Sequence, residues 1–87
     1  MKLSDAMEAG FAKVGKQCFG VLYTGAHYKP EKVCAVGAAY YGQSNCAFYG
    51  EFEPEPNAAQ VDYVVRLNNQ CRMPIPEIVE VLRGMGL

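Results

Sequence analysis

Leu3, Met7, Phe11, Val14 and Cys18 recur every three or four residues and make one apolar stripe. The spacing predicts an amphipathic helix over 4–17. Ser4 or Asp5 would cap its first N–H groups, with Lys13 and Lys16 near its negative end. Gly10 lies beside the stripe, so close packing against another helix is expected to offset its low helix propensity. Cys18–Thr24 is rich in aromatic and branched residues and reads as a short extended segment ended by Gly25. Pro30 reads as the first turn of a second helix, 30–42, with Gly42 as its stop. Val33–Tyr41 is apolar all round, so this helix is expected at the buried centre.

Residues 43–57 read as a loop in which Ala47–Phe52 is the candidate partner of the 18–24 segment in a small ribbon. Asn57 and Gln60 have the spacing of a capping box and open a third helix over 58–69. Val61, Val64, Val65 and Asn68 share one of its faces, and Asp62 and Arg66 form an i,i+4 pair. Pro74 and Pro76 start a fourth helix with Ile75, Ile78, Val79 and Leu82 in phase, Glu77 early, Arg83 late and Gly84 beyond. The expected fold is mainly α: residues 1–87 as a single small domain of about four short helices around the buried 30–42 helix, with a small two-stranded β element.

The 87-residue length suits one such domain, and at this size only about 60–65% of the unfolded surface is buried. With 51% hydrophobic and 20% charged residues the composition is that of a globule rather than a disordered chain. A net charge of −1 speaks against nucleic acid as a partner. It conceals a tilt: five Lys against three acids in 1–43, and three Arg against six acids in 44–87. These halves are candidates to face each other. No secretory signal is visible, and the apolar run Val33–Gly42 is too short for a bilayer, so the expected compartment is the cytoplasm, with no membrane partner.

The cysteines are Cys18, Cys34, Cys46 and Cys71. No pair has the C-x-x-C spacing that grips zinc from a tight turn, although with His27 they make five weak metal-ligand candidates. Cys34, mid-helix among alanines, reads as a small hydrophobe. Cys71, beside Arg72 and before a helix, is the best of four weak candidates for a reactive thiolate. His27 sits in a loop, with no Cys–His or Ser–His–Asp arrangement legible around it. Glu51, Glu53 and Glu55 lack the offsets and glycine turn of a calcium loop and read as a solvated acidic segment. Asn68 and Asn69 read as structural residues that end a helix and tie the next loop. Ile75–Leu87 looks like the first helix and turn of a helix-turn-helix, but the sequence stops before a recognition helix, so DNA binding by that route is not expected.

The aromatics are the strongest signal. Eight of ten Phe/Tyr residues fall between 19 and 52. A domain this small cannot easily bury them all. Tyr23, Tyr28, Tyr40, Tyr41, Phe48, Tyr49 and Phe52 therefore form a candidate interaction patch, the alternative being a Tyr-rich rim to the core.

Three stretches carry a resemblance: Leu3-Ser-Asp-Ala-Met-Glu-Ala-Gly10, Val33-Cys-Ala-Val-Gly-Ala-Ala-Tyr40, and Leu67-Asn-Asn69 followed by the Ile75–Leu82 helix. Together they resemble a family of small uncharacterised bacterial and phage proteins. Its pattern has an opening "LSEAI", a central "CALGAA", then "LND" and an "EIADWL"-like helix. Asn69 stands where the pattern has Asp. Longer relatives carry a C-x-x-C in the middle interval, where this chain has only Cys46. The resemblance implies one compact, mainly helical domain and carries no assigned activity. The expected function is a non-enzymatic protein-interaction module, binding a protein partner or a second copy of itself and needing no cofactor. A metal-binding protein and a thiol-based redox protein are the alternatives.

Overall fold

A computed structural model describes residues 1–87. The helices are α1 (Leu3–Val14), α2 (Ala35–Ser44), α3 (Ala58–Asn69) and α4 (Ile75–Gly84). Strands β1 (Tyr23–Ala26) and β2 (Lys29–Val33) form an antiparallel hairpin between α1 and α2. The molecule is thus a small, mainly α domain with one two-stranded sheet, as the periodicity predicts. No helix is long and apolar enough to cross a membrane.

Several local expectations are corrected. Residues 29–33 form a strand, not the first turn of a helix. Pro30 has no N–H to donate, but an edge strand can spare one. β2 also carries a bulge at Glu31, opposite Gly25 in the left-handed region (φ 83°). Helix α2 therefore starts at Ala35. Cys34 is its N-cap, and the Sγ accepts a hydrogen bond from the Gly37 N–H at 3.4 Å. The partner of β1 is β2, not 47–52. Gly42 does not stop α2; Asn45, with φ 59°, does. Helix α1 ends at Val14, before the expected 17, because Gly15 adopts φ 76° and its N–H donates to the Phe11 carbonyl. Neither Ser4 nor Asp5 caps it. Lys2 takes that position, and the Ser4 hydroxyl is buried without a partner.

Helices α1 and α2 cross antiparallel with their backbones in contact. A Cβ on Gly10 would overlap the Ala38 carbonyl, and one on Gly42 would overlap the Ala6 carbonyl. Ala6, Gly10, Ala38 and Gly42 thus form a seam of small residues. Met7, Val33, Ala35, Ala39, Val64, Ile75, Ile78 and Leu82 fill the core beside it. At the surface the ion pairs run against the expected tilt. Arg83 of α4 meets Asp5 and Glu8 of α1 at 3.4 and 3.2 Å, and Glu80 at 3.2 Å. It is the acids of the front half that meet a cation of the back half. The two groups of carboxylates raise the Arg83 pKa, Glu8 first and Asp5 next.

Asn68 supplies the polar centre. Its Oδ1 accepts from Gln17 Nε2 (2.8 Å) and from the Ala35 N–H (3.0 Å). Its Nδ2 donates to the Cys18 carbonyl (3.1 Å) and to Asn69 Oδ1 (2.8 Å). All four of its hydrogen-bonding capacities are used. Gln17 extends the network, donating to the Met73 carbonyl and accepting from the Ile75 N–H. Asn69 Oδ1 also accepts from the Gly20 N–H at 2.9 Å. The asparagines are structural, but they do not tie the loop after α3: their side chains hold the 17–20 segment and the start of α2, and Gln70, in right-handed helical backbone, is the cap of α3.

Two contrasts test this account. Gly10→Ala should destabilise by about 2–3 kcal/mol through overlap at the seam, despite the higher helix propensity of Ala. Gly84→Ala, in helical backbone with open space around it, should stabilise by about 0.5–1 kcal/mol. Chemical denaturation reads both, and equal signs would refute the seam. Asn68→Asp should cost about 2–4 kcal/mol, because a carboxylate cannot donate to the Cys18 carbonyl and would be a buried charge. Asn69→Asp should change stability by less than about 0.5 kcal/mol, because its oxygen only accepts in this network.

Candidate functional site

The seven aromatics of the expected patch fall into separate settings. Tyr23 packs on the edge of the core. Tyr40 of α2 and Phe52 stack in parallel, with centroids 6.0 Å apart. Tyr49 donates its hydroxyl to Glu51 at 3.0 Å, and this carboxylate raises the Tyr49 pKa. Tyr28 and Phe48, 68% and 54% exposed, bracket His27 with edge-to-face contacts at 5.3 and 4.8 Å. Tyr41 reaches this second group through its hydroxyl, 3.5 Å from the Tyr28 carbonyl, and its ring lies under the Lys13 ammonium.

The stacked pair walls a cavity between α2, α3 and the 50–56 loop. This groove, about 450 Å³, is lined by Leu3, Val36, Val61 and Val64 as well, with the exposed Glu51 and Glu55 beside them. Its loop wall is held in place. The Glu51 N–H donates to Gln43 Oε1 at 3.2 Å, and Gly50 packs against the Tyr40 ring. Ser44 donates to the Tyr49 carbonyl. A second cavity of about 230 Å³ shares Val36 and Val61 with the first and continues to Val21, Leu22 and Val65. The two share one furrow along α3, apolar towards Val21 and Val65 and more polar, with the two carboxylates, at the other end.

Sequence reasoning missed the α3 side of this furrow. The spacing puts Val61, Val64, Val65 and Asn68 on one face, which is wider than a short α2 can cover. In the fold Val64, Leu67 and Asn68 are buried, Val61 is half-buried and Val65 is 38% exposed. An apolar stripe wider than the surface available to cover it was the signal.

The metal-ligand candidates do not converge. No group of three or more His, Cys, Asp or Glu side chains is placed to hold a metal ion. All four cysteines are unpaired thiols. Cys18 and Cys34 are buried, and burial pushes both thiols up; for Cys18 the neighbouring Cys34 adds to the rise. Cys71 is exposed, but Arg72 places its guanidinium over the Phe19 ring, 4.7 Å from the centroid. The pairing that does form is one not legible in the sequence. Cys46 Sγ and His27 Nδ1 lie 3.3 Å apart.

No family model matches the chain, and no curated protein or solved structure matches it. Function is therefore read from the chemistry of these surfaces.

The raised thiols set an alkaline limit. Cys18 and Cys34 hold their protons more tightly folded than unfolded. Their contribution is complete below the unfolded thiol value of about 8.5 and is lost as pH climbs towards the folded value. Between pH 8 and 10 the unfolding free energy should fall, by at most about 1.4 kcal/mol per pH unit for each thiol. In Cys18→Ala/Cys34→Ala the fall should be shallower. Identical slopes in urea titrations would refute the assignment.

Proposed function

We propose that the protein is a non-enzymatic interaction module whose working surface is the furrow between α2, α3 and the 50–56 loop. The observation that carries this reading is the groove of about 450 Å³ walled by the stacked Tyr40 and Phe52 and flanked by Glu51 and Glu55. Its volume lies within the range of sites that bury a side-chain-sized or drug-sized group. Val36 and Val61, half-buried, offer apolar contact over a floor of Leu3 and Val64, the aromatic faces attract a cation, and the two carboxylates favour one. A segment of a protein partner with a large apolar residue next to Lys or Arg fits that chemistry. The reading is of a cytoplasmic module, in keeping with four thiols left unpaired.

Selection from a displayed random-peptide library tests it. Enriched peptides should pair a large apolar residue with Lys or Arg and should shift the NMR signals of Val36, Val61 and Phe52. Glu51→Gln/Glu55→Gln should weaken them by about fivefold, the worth of roughly one charge-assisted contact. Val61→Glu should abolish binding. Peptides that ignore both variants, or that shift residues elsewhere, would refute the proposal. Sedimentation of the free protein separates a second copy from a foreign partner, since occupancy by a second copy would make the mass depend on concentration.

A further inference from the structure

The Cys46–His27 pair lies apart from the furrow and carries a chemistry of its own. His27 and Tyr28 are the two-residue turn of the β1–β2 hairpin, and Cys46 follows the end of α2. The junction is fixed from both sides. The Ala47 N–H donates to the His27 carbonyl at 2.8 Å, and the Tyr49 N–H donates to the Cys46 carbonyl at 3.4 Å. The sulfur and Nδ1 are partly buried, 3.3 Å apart, the separation of a thiol and the base that takes its proton. The exposed rings of Tyr28 and Phe48, set against His27, supply an apolar wall for an incoming reagent.

We propose that Cys46, activated by His27, is the site at which this chain exchanges with small disulfides, those with an aromatic or apolar substituent above all. In the step, His27 Nδ1 takes the thiol proton and Cys46 Sγ attacks one sulfur of the disulfide. A new S–S bond forms to Cys46 as the old one breaks. The electron pair leaves with the second sulfur, and the proton on His27 passes to that thiolate. One disulfide and one thiol give one disulfide and one thiol, so no further oxidant is needed. The other cysteines do not share this setting. Cys18 and Cys34 are buried, and Cys71, though exposed, has no imidazole beside it.

Limited reaction of the native protein with dithiodipyridine at neutral pH, followed by mass mapping of each cysteine peptide, decides the matter. Cys46 should be modified at least about fivefold faster than the more exposed Cys71, because an imidazole stands beside its sulfur to take the proton as it attacks. His27→Gln should slow Cys46 by about fivefold or more and leave Cys71 unchanged. A smaller ratio in the native chain, or a smaller effect of His27→Gln, overturns the proposal. Loss of fold in that variant would show as reaction at Cys18 and Cys34; the native ratio and Phe48→Ala then decide. Phe48→Ala leaves the imidazole present and should slow dithiodipyridine more than the small aliphatic disulfide cystamine. Equal slowing of both overturns the role given to the aromatic wall.

Discussion

A single buried amide holds the architecture together. Asn68 is 1% exposed and sits where the segment after α1, the start of α2 and the end of α3 meet. The first two of those segments each present a backbone group that water cannot reach. The Ala35 N–H is an orphan donor of the first turn of α2, and the Cys18 carbonyl belongs to a segment without regular structure. Leaving either unpaired would cost about 1–3 kcal/mol. One side chain answers both, and Gln17 carries the network on to the entry of α4 through Met73 and Ile75. A hydrophobic residue at position 68 would fill the volume but leave those groups unmet. The contacts also select the α2 start at Ala35 over an earlier one, because only that register brings the Ala35 N–H to Asn68.

The seam between α1 and α2 is the second constraint, and it works through shape. Gly10 and Gly42 have no side chain, so the two backbones meet. That closeness costs helix propensity in each helix and returns packing along the contact. It also positions the C-terminal end of α2 against α1, where Lys13 reaches Asn45. Cys46 follows directly. The thiol thus owes its place to a contact four helical residues upstream, and its partner His27 to a hairpin that joins α1 to α2.

Features with a local cause were legible in the sequence. The Asn57/Gln60 capping box forms in full, with donors satisfied in both directions. Helix α4 buries Ile75, Ile78, Val79 and Leu82, the four residues its phase selects. Gly10 packs as its place beside the stripe suggests. The hairpin was not legible, for two physical reasons. Its turn, His27-Tyr28, carries none of the Gly or Asn that mark a two-residue loop. And Pro30 is a good first residue for a helix but equally harmless in an edge strand, so tertiary context decided between them. Once 29–33 became a strand, Cys34 moved from mid-helix to the cap of α2, and residues 47–52 were left without a strand to pair with.

The same distinction separates the two surfaces. The furrow could be anticipated in kind, because too many aromatic and apolar residues lie in 19–65 for this domain to bury. Its shape depended on which of them α2 could reach. The thiol–imidazole pair leaves no trace in spacing, since residues 27 and 46 meet only through the hairpin and the end of α2. Exposure alone would have chosen Cys71, and a basic neighbour in sequence would have chosen it again. In the fold Arg72 spends its charge on the Phe19 ring, and the group beside a thiol is an imidazole instead. A side chain's chemistry here follows from which segments the buried amide and the glycine seam bring together, so a residue's neighbours in sequence are a poor guide to its neighbours in space.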